Sequence, residues 1–348
     1  MLFRLAALLI PSSLALLLRA FDPSRIPVVV AIWGAISASA GAAGPPIGAL
    51  LVSHLSWRWA FFVNLPVGIF SFLLARAVLN ESKESAAGPM PDALTVALLA
   101  FGMGGVTLAI VESNKWGWLS GRTATAFLAG VVLLVLFILR ARGIPNPVLR
   151  LELFRNRNFR WANLAAFVFA VGFNAMFMSN VLFLTNVWKY SILRAGTAIA
   201  LGPAIVALTA PRFGRLAGRV GQRTVLIPGG LVYAAGGLLL LLRIGVQPSY
   251  LSEYLPTVIL TALGVAMCLP QFSSAAAATL PSDQYAAGSA VTQATRYIGG
   301  SFGVAAVIAF TSGHTGLNGF RHVWILIIAV GLSVAVSSSR LVTRPTTK

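Results

Sequence analysis

The sequence predicts an all-α fold, a polytopic bundle of membrane-spanning helices, on three observations. Hydrophobic residues make up 57% of the 348-residue chain and charged residues only 10%, where a soluble domain carries about 25% charged residues. Apolar runs near the roughly 20 residues that a spanning helix requires follow one another along the whole length. The basic residues, which give a net charge of +18, sit in short clusters between those runs and form no single patch. That distribution argues against nucleic acid as a partner and for the lipid bilayer.

Taken in order, the predicted spans are 4–19, 27–53, 59–78, 93–112, 123–141, 160–185, 195–211, 224–243, 255–275, 286–311 and 321–342. Counting Lys and Arg in alternate loops and ends puts 17 on one side and 7 on the other, with Arg4 and Arg296 in or at the edge of spans. The richer side is expected to be cytoplasmic. The longest connection, 141–159, mixes Arg with Leu, Val and Phe, and predicts a short amphipathic helix lying on the membrane surface. The single cysteine, Cys268, sits in an apolar run. It reads as a small buried hydrophobe and excludes an internal disulfide.

The span at 27–53 contains the run Gly41-Ala-Ala-Gly-Pro-Pro-Ile-Gly-Ala-Leu-Leu51. Gly34, Gly41 and Gly48 recur every seven residues, and Ser37 and Gly44 repeat that spacing. On a helix these positions make one face of small side chains. Lipid gives little hydrophobic drive between helices, so close backbone approach supplies the packing. Pro45 and Pro46 bend the helix, and neighbouring helices re-satisfy the freed carbonyls. A kinked helix pressed against another helix is predicted.

This run and the following Trp57-Arg-Trp-Ala-Phe-Phe-Val-Asn-Leu-Pro-Val-Gly68 closely resemble the fifth-to-sixth span region of the fourteen-span drug:proton antiporters of the major facilitator superfamily, the QacA/EmrB type. Gly44, Pro45 and Gly48 match the antiporter motif of that family, while Ala40 and Ala49 stand where it has glycines. Pro91-Asp92 resembles the opening of the seventh helix, and Trp188-Lys-Tyr-Ser-Ile-Leu-Arg-Ala-Gly196 the start of the tenth. Gly214-Arg-Leu-Ala-Gly-Arg-Val-Gly-Gln-Arg223 resembles the second copy of the superfamily loop motif, through Gly214, Arg215, Arg219, Gly221 and Arg223. The aspartate of that motif is Gly218 here, which removes the carboxylate of a gating lock. Arg296-Tyr-Ile-Gly-Gly-Ser-Phe-Gly303 resembles the thirteenth helix.

The resemblance implies four segments. Residues 1–78 correspond to spans 4–6 of the N-terminal bundle and 79–141 to two extra central spans, 7–8. Residues 142–159 form a cytoplasmic linker, and 160–348 form a C-terminal six-helix bundle, spans 9–14. The first three and a half spans of the family, with its first loop motif and its fourth-helix arginine, then have no counterpart. A signal-peptide reading of residues 1–20 is disfavoured because no small-residue cleavage site follows the run.

The implied function is export of hydrophobic or cationic small molecules in exchange for protons, by alternating access, from the inner (plasma) membrane and by a monomer. A non-transporting remnant or membrane scaffold is the alternative. No cofactor, metal site or catalytic constellation is expected. Gly299-Gly-Ser-Phe-Gly303 has the spacing of a hydrolase elbow, but no acidic residue follows it, and that motif needs a later Asp or Glu and His. Arg296 is a candidate gate or relay residue, or else snorkels to the headgroups. Asn174, Asn180 and Gln271 are candidate cavity-lining residues, or else bond between helices.

Overall fold

The structure, a computed structural model, describes residues 40, 43–78, 92–144, 151–277, 280, 284–312 and 316–342. It is a helical membrane bundle, as the sequence predicts. Helix α1 covers 43–54, α2 Trp59–Phe62 and α3 Asn64–Val78. Helices α4 (Ala93–Trp116) and α5 (Gly121–Gly143) form a hairpin. A six-helix unit follows, made of α6 (Arg157–Asn186), α7 (Ile192–Val220), α8 (Gln222–Arg243), α9 (Leu255–Ala277), α10 (Tyr285–Thr311) and α11 (Asn318–Ser339). Among the described residues, eight helices are long and apolar enough to cross a membrane. Helix α10 is equally long but carries Gln293 and Arg296 in its first half.

Local chemistry sets the helix ends. The side chains of Asp92, Ser120, Asn156 and Ser191 each accept a backbone N–H from the first turn of the helix they precede, which satisfies donors a helix start leaves open. Gly117 and Gly221, at φ 87° and 88°, end α4 and α7 in a conformation that favours glycine.

Two expectations about connections change. The stretch expected as a 212–223 loop is helical through Val220, leaving only Gly221 between α7 and α8. Its Arg, Leu and Ala residues are good helix formers, and Pro203 and Pro211 sit inside the helix without ending it. The expected surface helix in 141–159 is also absent from its described part. Helix α5 runs on to Gly143, and Leu151–Arg155 is a single 3-10 turn. Leu153 and Phe154 of that turn pack into the bundle core, away from the lipid surface. The spans expected at 4–19 and in the first part of 27–53 lie outside the described residues.

Packing between helices rests on glycine. A Cβ on Gly130 of α5 would lie 2.6 Å from the Val106 backbone nitrogen of α4. A Cβ on Gly230 of α8 would lie 2.6 Å from the Gly331 carbonyl oxygen of α11. Those on Gly299 and Gly303 of α10 would meet the Phe167 and Val171 carbonyls of α6. These helices touch backbone to backbone, which is how apolar helices gain contact in a solvent as apolar as themselves. Cys268 is buried and packs against Gly229, as expected of a small hydrophobe.

A matched pair of substitutions tests this. Gly130→Ala forces a side chain into the α4 backbone and should cost about 1–3 kcal/mol, typical of overpacking. Gly104→Ala, at an exposed position with nothing within 4 Å among the described residues, should cost nothing. Thermal unfolding in detergent reads both, and equal midpoints for the two variants would show that the contact is not tight.

Candidate functional site

Helices α6 and α10 run side by side in parallel, brought together by Gly299, Gly300 and Gly303. Asn174, Phe177 and Val181 succeed one another at helical spacing on α6, with Phe177 40% and Val181 39% exposed. Gln293, Arg296 and Tyr297 lie on α10, with Tyr297 52% exposed and the other two half-buried.

The polar groups are held by local bonds. Nδ2 of Asn174 donates to the Ala170 carbonyl at 3.0 Å, and its side chain packs on Gly300, where a Cβ would come within 2.9 Å of that nitrogen. A guanidinium nitrogen of Arg296 donates to Oε1 of Gln293 at 3.0 Å. Asn180 is half-buried two turns further along α6. Gln271 is 3% exposed, and its Nε2 lies 3.9 Å from where a Cβ on Gly214 would sit. The structure thus puts Gln271 inside the α7–α9 contact, whereas Asn174 sits in the α6–α10 contact.

The other sequence candidates fall elsewhere. Gly34 and Gly41 lie outside the described residues. A Cβ on Gly44 or on Gly48 would meet nothing within 4 Å among the described residues. The close contact expected of α1 exists, but its glycine is on the opposite helix. A Cβ on Gly196 of α7 would lie 2.6 Å from Cβ of Ala49 and 2.9 Å from the Pro45 carbonyl oxygen. Pro45 and Ala49 therefore form the contact face, and Gly196 supplies the space. Gly214, Arg215 and Arg219 lie in the last turns of α7 and Arg223 in the first turn of α8, with all three arginines exposed.

Several polar ties escaped the sequence reading. Buried Asn158 donates to the Ala275 carbonyl at 3.3 Å and accepts the Val342 N–H at 2.8 Å. It joins α6, α9 and the segment after α11 at the arginine-rich end. At the other end Trp188 donates to the Gly245 carbonyl and Tyr250 to that of Ala198, within an aromatic cluster with Phe183, Tyr254 and Trp324. Asn114 of α4 donates to the carbonyls of Ala309 and Ser312, tying the hairpin to α10.

The described carboxylates all stand at helix ends. Glu112 pairs with Lys115 at 3.2 Å, Glu152 is in the 3-10 turn, and Glu253 accepts the Gly245 N–H at 3.4 Å. Asp92 pairs with Arg140 through two hydrogen bonds of 2.6 and 3.1 Å, closing the open end of the α4–α5 hairpin. The Arg140 guanidinium, and then the Thr95 hydroxyl, hold the Asp92 carboxyl well below the usual carboxylate range.

The family's sequence model, Major Facilitator Superfamily, matches residues 1–304 and again 162–348. The second match covers almost all of α6 and the whole of α7 through α11. The multidrug resistance protein Stp of Mycobacterium tuberculosis is 31% identical over 309 residues, 86% of this chain and 55% of Stp. The puromycin resistance protein pur8 of Streptomyces alboniger is 30% identical over 323 residues, 89% of this chain and 62% of pur8. The lincomycin resistance protein LmrB of Listeria monocytogenes is 26% identical over 306 residues, 88% of this chain and 64% of LmrB. The chain belongs to the major facilitator superfamily and is a multi-pass membrane protein. It spans between about half and two thirds of the length of these relatives.

The Asp92–Arg140 pair carries a pH test. Its folded-state pKa is depressed, so the pair stabilises the fold above the unfolded value of 3.8, and this contribution drains away as pH falls toward the folded value. The stability difference between wild type and Asp92→Asn should therefore stay constant from pH 8 to pH 5 and shrink below about 3.8. A difference already fading near pH 6 would contradict the pairing.

Proposed function

We propose that this chain works in a secondary transporter that exports apolar small molecules across the plasma (inner) membrane by alternating access, in exchange for protons. In this reading residues 160–348 act as one rocking bundle, residues 1–78 belong to the other, and 79–141 are the extra pair docked outside. The names of the relatives support the efflux reading, since Stp, pur8 and LmrB are resistance proteins. The fourteen-span antiporter type is supported by the motif residues quoted above.

The observation that carries the mechanism is the contact of Gly196 with Pro45 and Ala49. It joins the two proposed bundles near the start of α7, the end opposite the arginine-rich one. Rocking of one bundle on another requires a cross-contact that closes one end and can release. A glycine facing a carbonyl and a methyl makes such a contact close without interlocking long side chains. Cationic small molecules, also expected from the sequence, belong to this reading as well.

Efflux of a lipophilic dye from cells carrying the gene, and its collapse on adding a protonophore, tests the reading. Gly196→Leu should hold the bundles apart and lower the efflux rate at least tenfold, while Thr197→Leu, on the exposed neighbouring position, should leave it within twofold. Dye retention equal to that of cells without the gene would favour a membrane scaffold. Unchanged efflux in Gly196→Leu would remove the contact from the mechanism.

A further inference from the structure

We propose that the last turns of α7 are a docking surface for anionic phospholipid headgroups, in the leaflet on the arginine-rich side, with Arg212, Arg215 and Arg219 as the binding row. The surface is independent of the transport reading and rests on depth, alignment and charge.

Depth comes first. Arg194 and Arg212 of α7 bracket 17 residues without a charge, so they lie about 27 Å apart along the helix axis. That nearly matches a hydrocarbon thickness of about 30 Å. The Arg194 guanidinium lies over the Tyr190 ring, 4.0 Å from its centroid, and aromatic rings and basic side chains of this kind anchor a span at the headgroup level. Arg212 therefore meets the opposite boundary, and Arg215 and Arg219 reach about 5 and 10 Å past it. The helix is unbroken through Val220, so the three residues stand in the headgroup layer on a regular scaffold.

Alignment comes next. Leu201, Leu208, Arg212, Arg215 and Arg219 follow one another at spacings of seven, four, three and four residues, which puts them on one side of the helix. All five are exposed. The opposite side packs inward, with Gly214 beside Gln271 of α9 and Ala217 buried. A row of leucines that meets acyl chains thus runs directly into a row of arginines that meets headgroups. Leu216 and Val220 add exposed apolar surface beside the arginines.

Charge selects the occupant. Among the described residues no carboxylate pairs with Arg212, Arg215 or Arg219. Gly218, which sits among them, has no side chain to offer. Nη1 of Arg212 donates to the Leu208 carbonyl at 2.9 Å, which lays this side chain back along the row and leaves its guanidinium with donors to spare. Guanidinium groups match phosphate oxygens in geometry as well as in charge. A zwitterionic headgroup carries its own ammonium beside the phosphate, so an anionic headgroup is the better complement to cations at this surface.

Local quenching tests the surface. The full chain carries a bimane label at Leu208→Cys, an exposed position on the row, the native Cys268 being buried. It is reconstituted in phosphatidylcholine bilayers with increasing acyl-brominated phosphatidylglycerol or acyl-brominated phosphatidylcholine. Half-maximal quenching should need at least fivefold less of the brominated phosphatidylglycerol. The triple variant Arg212→Gln, Arg215→Gln, Arg219→Gln should bring the two lipids within twofold of each other, and the corresponding triple Lys variant should keep most of the preference. Arg155→Gln, Arg157→Gln, Arg160→Gln removes the same charge from exposed positions at the same end of the bundle and should leave the preference within twofold of wild type. Arg215→Gln alone, a milder change, should lower it about twofold.

The proposal is overturned if wild type shows no preference between the two lipids, or if the Arg155, Arg157 and Arg160 variant loses as much of it as the row variant. It is also overturned if inorganic phosphate, at constant ionic strength, abolishes the preference, since the row would then take a soluble anion. Quenching is read without transport, so failure of either reading leaves the other standing.

Discussion

Backbone contact between helices, made possible by glycine, is the constraint from which the rest of this structure follows. In lipid an apolar side chain gains little by leaving its solvent, so helices adhere where they can come closest. The α4–α5 hairpin meets at Gly130, α8 and α11 meet at Gly230 and Gly331, and α6 and α10 meet at Gly299 and Gly303. At the last of these a polar side chain is enclosed as well, since Asn174 of α6 packs on Gly300 of α10.

The same device recurs with a different meaning between α1 and α7. Gly196 there faces a helix of the other proposed bundle, and its neighbours Pro45 and Ala49 are small or rigid. Inside a bundle, such contacts are flanked by polar staples at both ends. Asn158 binds at the arginine-rich end and Trp188 and Tyr250 at the other. Those staples hold α6 to α9 and to the segment after α11, and tie α6 and α7 to the stretch before α9.

Much of this was legible in the sequence, and what was not has a physical reason. Apolar runs reported the helices because the bilayer fixes their length and composition. Helix ends were less legible. The sequence offers no signal that separates the arginine-rich end of α7 from a loop, since an extended helix and a basic loop share residues such as Arg, Leu and Ala. The glycine face of α1 was visible as a pattern, yet whether a glycine is filled against or left open depends on the partner helix. Among the described residues nothing packs on Gly44 or Gly48, and the close contact of α1 is made at Gly196 of α7. Asn158 and the Asp92–Arg140 pair were invisible for another reason. Their partners lie 117, 184 and 48 residues away, and nothing local marks them. Arg296 stood out because an arginine inside an apolar run is expensive wherever it points.

The central claim is that the contact of α1 with α7 is a seal that opens and closes. Electron–electron distance measurement between spin labels at Ser53→Cys and Thr197→Cys, both exposed positions near this contact, tests it most directly, the native Cys268 being buried and unlabelled. The account predicts two populations, one at the close distance seen here and one longer, whose ratio shifts when a lipophilic substrate is added. A single distance, unmoved by substrate or by pH, would contradict it.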